Sequence, residues 1–450
     1  MTLRLASFGL RGFVGQSLTP RVVMDYASAF GTFVDGRRVL LGRDTRYSSP
    51  MIHSAVTASL ISCGCEVLDF GVCPTPILQF SVRRQAAAGA VSISGGHNGM
   101  GWNALTLIGE DGAFLEPGGG ETVLDRFHAG DFLRRAPGAL GSIQPVVDYF
   151  ETYLEELSRV VNIDAIRRAR FNVLIDPVGG AGCPFLADFA RALGFNLVAI
   201  NGEPSGYLAR EPEPRPRTAL QMASFIRHVK GHVGFVLSSD MGRLSLVTEE
   251  GEPASEEYTF PLMVRHLLGK RPGPVVTNCC TSRMVDDLAR GFGVAIEKAA
   301  VGQAFVMARL ADEQGRVGGE GSGSAALPEF SLAFDGFLMM ALILEAMAET
   351  GSRASDLVRS LPRYYMVKRG TACGSRQAYR ALELFREDAA RWNARSVDLT
   401  DGVRLDWDDG WLHVRASHTE KVIRVLSEAT RQARAEERAE EALRMIGQVT

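Results

Sequence analysis

The sequence predicts an α/β fold: three α/β domains with mainly parallel sheets, followed by a C-terminal α+β domain. Three observations carry this. The chain has 450 residues, about three times a usual single-domain length. Strand-like and helix-like stretches alternate through most of it, and the alternation restarts near Pro145 and again after Gly251. Beyond Pro362 the order changes to a helix, short strands and a long charged helix. The domains expected are therefore 1–135, 145–250, 251–363 and 366–450.

In the first unit, Arg38–Gly42 reads as a short buried strand. Pro50–Ile61 reads as a helix, because its apolar residues recur at helical spacing behind Ser48 and Ser49 as candidate N-caps. Glu66–Phe70 and Gly89–Ser94 are further strands, the second running into a Gly-rich loop. In the second unit Val146–Leu157 is a helix and Phe171–Asp176 a strand. Gly179–Gly182 opens another helix, and Phe195–Ile200 and Val233–Leu237 are strands.

The third unit gives a helix to about Leu268, a strand at Pro274–Thr277, a helix at Ser282–Arg290, a strand at Val294–Glu297 and a helix from Gly302. Phe337–Leu344 is apolar throughout but soon meets Glu345, so it reads as a buried helix and not a membrane span. The last unit gives a helix near Ala378–Asn393 and strands at Val403–Trp407 and Trp411–Val414, joined by Asp408, Asp409 and Gly410. Val422–Leu426 and a charged helix at Glu428–Met445 follow. Opposite charges at helical spacing in that helix make a solvated face.

Composition narrows the function classes. Apolar residues are 46% and charged residues 22%, an ordinary globular mix. A net charge of -3 excludes a nucleic-acid binder held by bulk charge. No window approaches the ~18 apolar residues of a membrane span, and the first residues lack the order of a signal peptide. The seven cysteines are odd in number and sit mostly in apolar runs. Cys63/Cys65 and Cys279/Cys280 lack zinc-site spacing, so core packing in a reducing cytoplasm is expected.

Four segments carry the chemistry, in order. They are Gly42–Pro50 with Pro74–Pro76, Ile93–Leu105, Gly318–Gly323 with Asp335–Gly336, and Arg415–Glu420. Together they resemble the α-D-phosphohexomutases, the family of phosphoglucomutase, phosphomannomutase and phosphoglucosamine mutase, across nearly the whole chain. Trp102–Leu105 looks most like the phosphoglucosamine branch. The resemblance implies four domains around a central cleft and an isomerase of carbohydrate metabolism. It also implies a phosphoserine that passes its phosphoryl group to the sugar, and a Mg²⁺ held by three aspartates.

Departures from the family pattern bear on the chemistry. The family's catalytic loop reads roughly Thr-Ala-Ser-His-Asn-Pro; here it is Ser94-Gly95-Gly96-His97-Asn98-Gly99. Anchored on His97 and Asn98, the phosphoserine position is Gly96, which has no oxygen to phosphorylate. The family's lysine falls on Thr106. The metal loop, Asp-x-Asp-x-Asp-Arg in the family, falls on Ser238, Asp240, Gly242 and Arg243. One of three carboxylates remains, so no cofactor is expected and Mg²⁺ is expected to be weak or absent. On this reading the standard mutase mechanism is lost.

The ligand-holding parts match better. Arg415, Ser417 and Thr419 align with the family's phosphate loop, and Lys421 adds a donor in place of a proline. Glu320 and Ser322 align with the loop that reads sugar hydroxyls, with Ser324 where the family has a histidine. Arg11 aligns with an N-terminal cleft arginine. His97 is read as a neutral imidazole that helps to bind phosphate or brace its loop. Gly95, Gly96, Gly99 and Gly101 let that backbone approach an anion.

The expected partner is a hexose or hexosamine phosphate, with no nucleic acid or membrane. An enzyme of altered chemistry ranks first, with catalytic candidates His97, Arg11, Asp240 and Arg243, and with Glu320 as a further proton carrier. A non-catalytic phosphosugar sensor ranks second. Residual mutase activity, an intramolecular phosphotransfer, ranks third.

Overall fold

In the computed structural model, which describes residues 3–6, 8–387, 391–417 and 421–448, the chain forms four sheets. The first holds β1 (Arg4–Ala6), β2 (Gly9–Phe13), β3 (Val39–Arg43), β4 (Glu66–Val72), β5 (Gly89–Ile93), β6 (Trp102–Ile108) and β7 (Ser142–Pro145), in the order β1-β2-β6-β5-β3-β4-β7. β3 pairs in parallel with β4 and β5, and β4 with β7. β6 returns antiparallel beside β5, because the connecting loop is too short for a crossover. β7 belongs to this sheet although the sequence pattern leaves 142–145 between the first two units.

The second sheet, β11-β10-β8-β9, contains β8 (Asn172–Asp176), β9 (Asn196–Ala199), β10 (Val233–Leu237) and β11 (Leu244–Thr248). The third, β13-β12-β14-β15, contains β12 (Val275–Asn278), β13 (Ile296–Ala299), β14 (Val317–Glu320) and β15 (Ser324–Ala326). Each has a parallel interior and one antiparallel edge hairpin, β10–β11 or β14–β15. The fourth sheet, β16-β20-β19-β18-β17, is antiparallel throughout. It runs over β16 (Tyr365–Ala372), β17 (Ser396–Asp398), β18 (Val403–Trp407), β19 (Gly410–Ala416) and β20 (Val422–Ala429). The three α/β units and the α+β unit are as predicted.

The start of the last helix differs from the sequence expectation for a physical reason. The last helix starts at Gln432, not Glu428, because β20 runs on to Ala429 in mid-sheet. Glu428 is there a buried carboxylate that accepts hydrogen bonds from Trp411 Nε1 (2.8 Å) and the Arg283 N–H (2.8 Å). The hairpin strands β11 and β15 are short and flanked by polar loops, so they carry little periodicity of their own.

The apolar run 337–344 lies inside the helix Gly336–Thr350, whose residues from Gly336 to Met347 are all buried. Asp335 caps it, accepting from the N–H groups of Phe337 (2.9 Å) and Leu338 (3.2 Å). Phe337 packs on Phe150 and Phe189 with ring centroids 5.3 and 4.8 Å away, tying the second and third units into one core. Full burial of one such ring stabilises the fold by ~1.5–3 kcal/mol. The fourth unit has a separate core built on Leu412, Val414, Val425 and Ala439.

This architecture sets the site. The loops joining β5–β6, β10–β11, β14–β15 and β19–β20 are all antiparallel hairpin loops, one per sheet; they carry the catalytic-loop, metal-loop, sugar-loop and phosphate-loop stretches, while Gly42–Pro50 runs on from the end of β3.

Candidate functional site

The loop after β5 is held open by Arg46. This guanidinium is fully buried and pairs with Asp44 (Nε to Oδ2, 2.9 Å). Its remaining N–H groups donate to the carbonyls of Gly96 (2.9 Å), Asn98 (2.8 Å) and Gly99 (3.1 Å) and to Ser239 Oγ (3.1 Å). Only the planar fork of an arginine reaches so many acceptors at once. Ser94 donates to Asp44 Oδ2 (2.8 Å) and accepts from the Gly96 N–H (3.0 Å), so it braces the turn.

Gly96 takes φ 54, a left-handed conformation that suits glycine, and a Cβ built there would lie 2.9 Å from Asp240 Oδ2. The catalytic and metal-loop positions therefore meet. Asp240 Oδ1 accepts from Ser238 Oγ (2.5 Å) and the Gly242 N–H (3.1 Å), while Ser239 Oγ donates to the Gly96 carbonyl (2.7 Å). Among the described residues Asp240 Oδ2 makes no hydrogen bond. From the third sheet, Ser324 Oγ donates to the Gly242 carbonyl (3.0 Å).

His97 is half-buried beside Gly96. Its pKa is held well below the ordinary histidine range, first by Arg243, then by burial, Arg11, Arg215 and Arg46, so it is neutral at neutral pH. Arg243 and Arg215 share one carboxylate. Glu213 Oε1 takes Arg243 Nη1 (3.0 Å), and Glu213 Oε2 takes Arg215 Nη2 (2.6 Å). Sequence reasoning missed Glu213 and Arg215. The one signal was the Pro-Glu-Pro-Arg-Pro run at 212–216, which fixes a turn without naming what it presents.

The second half of the site joins the third and fourth sheets. Glu320 is 8% exposed; its Oε1 accepts the Gly302 N–H (2.9 Å), and its Oε2 lies 3.4 Å from Ser322 Oγ. Ser322 and Ser324 lie within 3.3 Å of each other. The neighbouring Val301 N–H donates to Asp401 Oδ2 (3.0 Å), and that oxygen lies 3.9 Å from Arg415 Nη1. Ser417 closes the hairpin, its N–H donating to the Val422 carbonyl (2.9 Å), and Lys421 is exposed at the other end. Thr419 lies outside the described residues.

Contacts thus run in one chain from Gly96 through Asp240, Gly242, Ser324, Ser322 and Glu320 to Gly302, Val301, Asp401 and Arg415. Arg11, on β2, acts on His97 at the Gly96 end.

Such a path, with guanidiniums near both ends and hydroxyls between, defines a protein of four units whose hairpin loops offer groups suited to a polar, anionic small molecule. The chain belongs to the phosphoglucomutase/phosphomannomutase family, as the resemblance of its motifs implied. Sequence models of that family's alpha/beta/alpha domains I, II and III match residues 5–134, 151–251 and 255–365, and its C-terminal domain matches 376–445.

The chain is 32% identical over 448 residues to a phosphoglucomutase/phosphomannomutase of Thermococcus kodakarensis, covering 98% of this chain and 97% of the relative. It is 31% identical to a probable phosphoglucosamine mutase of Pyrococcus abyssi, covering 97% and 96%. Among solved structures, a phosphoglucomutase/phosphomannomutase family protein of Burkholderia thailandensis superposes with a TM-score of 0.86 at 22% identity, covering 98% of both chains. N-acetylphosphoglucosamine mutase of Aspergillus fumigatus, solved with GlcNAc-6P and magnesium, superposes with a TM-score of 0.55 at 13% identity, covering 91% of this chain and 82% of that one.

The expectation of no cofactor, with Mg²⁺ weak or absent, is corrected by these findings: a structure of this architecture holds magnesium beside a phosphosugar. Counting loop carboxylates underestimates what the ion uses. Mg²⁺ keeps several waters and needs one or two carboxylates plus phosphate oxygens. Asp240 Oδ2, turned toward Gly96, is a donor of that kind. Among the described residues no helix is long and apolar enough to cross a membrane.

Proposed function

We propose that this chain is a phosphosugar enzyme of its family that acts on a hexose or hexosamine phosphate without a serine-borne phosphoryl group. The observation that carries the reading is Gly96. It sits against Asp240 on a left-handed backbone, at the position the motif assigns to the family's nucleophile, and it has no side-chain oxygen. The relatives' names support the substrate class.

The roles follow the geometry. Arg415, Ser417, Thr419 and Lys421 bind the phosphate of the substrate, with Arg415 as the guanidinium of the loop. Glu320 and Ser322 read its hydroxyls, with Ser324 behind them holding the Gly242 carbonyl. Arg11 and Arg243 supply positive charge at the other end. His97 is neutral there, so it offers an N–H and a lone pair but no proton to spare at neutral pH. Asp240 would hold a magnesium ion, which when bound adds positive charge against phosphoryl oxygens. Proton transfer at the sugar falls to Glu320, the carboxylate nearest the hydroxyl-reading serines. Seven free cysteines, six of them buried, fit a reducing compartment, and the reading places the protein in the cytoplasm.

The test is intact-mass measurement and ³¹P NMR of the protein after incubation with a hexose 1,6-bisphosphate and Mg²⁺. The expected result is binding of sugar phosphate with no acid-stable phosphoserine. A stoichiometric phosphoseryl protein would overturn the reading.

A further inference from the structure

The sugar loop rests on a buried carboxyl. Glu257, in the turn Glu256–Tyr258 near the start of the third unit, is 5% exposed. Lys368, on β16 of the fourth unit, holds it: Nζ lies 2.6 Å from Glu257 Oε1 and 2.9 Å from Glu256 Oε1. The other oxygen, Glu257 Oε2, is buried without a hydrogen-bond partner, a costly state for a polar atom. It is the atom nearest the open side of Gly321, so any side chain at 321 would run into the carboxyl. Glycine is required there by this close approach and not by its backbone angle, since its φ is not positive.

On its other side Gly321 is pinned. Its N–H donates to Thr281 Oγ1 (3.1 Å). That hydroxyl also accepts from Thr277 Oγ1 (2.6 Å) and gives its own proton to Asn278 Oδ1 (3.0 Å). The loop is therefore caught between Thr281 and Glu257. The residues flanking Gly321 are Glu320 and Ser322, the two assigned above to the sugar hydroxyls.

We infer that Glu257, held by Lys368, is a positioning residue of the sugar loop: it does not touch the ligand but fixes where Glu320 and Ser322 stand toward the sugar hydroxyls. This rests on the phosphosugar reading above and extends it to a residue behind the loop. Burial pushes the Glu257 carboxyl up to about 7; Lys368 pulls it down, while Glu256 and Glu428 push it up. Glu256 is itself held low by Lys368 and Arg215. Above that value Glu257 is a carboxylate in an ion pair with Lys368. Below it the group is a neutral acid, the ion pair is lost and the support slackens.

Calorimetric titration of the full chain with a hexose 6-phosphate and with propyl phosphate tests it, at about pH 6 and about pH 8 on either side of the transition. Propyl phosphate offers the phosphate without the hydroxyls, so the ratio of the two affinities isolates what the sugar loop reads. Titration of the phosphate group itself largely cancels in that ratio. The wild-type preference for the hexose 6-phosphate is expected to be roughly three- to ten-fold greater at the higher pH. Glu257→Gln keeps the shape without the charge, so its preference should stay near the wild type's low-pH value throughout. Glu257→Ala should lower the preference by about ten-fold at the higher pH and leave propyl phosphate within about two-fold.

A Glu257→Gln preference that follows the wild type at both pH values overturns the positioning role. So does a Glu257→Ala variant whose preference is unchanged, or one that loses both ligands by the same factor. Glu257→Gln decides the matter even where Glu257→Ala fails to fold. A wild type that binds the two phosphates equally, or binds neither, would instead overturn the underlying phosphosugar reading, so the two failures are distinguishable.

Discussion

Arg46 holds the carbonyl of Gly96 at 2.9 Å from inside the protein, so a buried guanidinium, not the loop's own sequence, fixes the backbone at the centre of the site. Arg46→Ala would leave Asp44 buried without its counter-charge. The expected loss is about 3–5 kcal/mol of stability, read from urea unfolding, together with loss of phosphosugar binding. Arg46→Lys should fail almost as badly, because one ammonium cannot satisfy three carbonyls and a carboxylate.

At the far end of the contact path, Arg415→Ala should weaken binding of a hexose 6-phosphate by about 1.5–3 kcal/mol in a calorimetric titration. Lys421→Ala should cost less, since Lys421 is exposed to solvent. Equal losses for the two would show that the loop binds by charge alone.

Restoring a serine at Gly96 is not expected to restore mutase turnover. The backbone there has φ 54, and a new Cβ would stand 2.9 Å from Asp240 Oδ2. A left-handed conformation costs a non-glycine residue about 1–2 kcal/mol. Phosphoryl transfer depends on precise positioning of the acceptor oxygen, which a hydroxyl carried on this strained backbone against Asp240 does not have. Both wild type and Gly96→Ser should show negligible conversion of hexose 1-phosphate to 6-phosphate in a coupled assay with bisphosphate and Mg²⁺. Gly96→Ser with Ser238→Asp and Gly242→Asp is the smallest set expected to recover part of it. Robust turnover by the unmodified protein would refute the reading.

Asp335 gives a pH test of the core. Burial raises its carboxyl from 3.8 to about 6, against hydrogen bonds from Tyr153 and two helix N–H groups. A carboxyl raised on folding contributes stability that is fully present below its unfolded pKa and is lost as pH rises through the folded one. The stability difference between wild type and Asp335→Asn should therefore move against the wild type between about pH 4 and pH 6 and level off above. A difference independent of pH in urea unfolding would remove Asp335 from this role.

Phe337→Ala should destabilise by about 3–5 kcal/mol, since the ring is fully buried between Phe150 and Phe189. Phosphosugar affinity measured below the unfolding transition should stay within two-fold of wild type.

Much of this was legible in the sequence. The restarts at Pro145 and Gly251 marked the sheets, since buried parallel strands are short apolar runs between helices. The catalytic, metal, sugar and phosphate stretches fell on four hairpin loops, and in the first three the glycines that make a tight turn also mark it. Glu213 and Arg215 were invisible, since a salt-bridged pair in a loop has no periodicity and its meaning depends on a third residue, Arg243, far along the chain. The part played by Arg46 was equally hidden: the sequence shows an arginine after a strand, whereas its acceptors lie about fifty residues on. The missing magnesium expectation came from counting carboxylates within one loop, when waters and ligand oxygens supply the rest of the shell.

The adjacent N–H groups of Val301 and Gly302 go to carboxylates of two different units, Asp401 in the turn before β18 and beside Arg415, and Glu320 at the end of β14. Two consecutive peptide units therefore span the gap between the carboxylate beside Arg415 and Glu320, the residues proposed to meet a phosphate and a hydroxyl. Those two anchors are tied through adjacent residues, so on the proposed roles the cleft would act as a gauge of fixed length for how far a hydroxyl stands from a phosphate. Gly302 makes the gauge possible, because its φ of 135 is a conformation that side-chain-bearing residues rarely adopt. A mutation at this position would recalibrate the sugar choice while leaving both anchoring residues untouched.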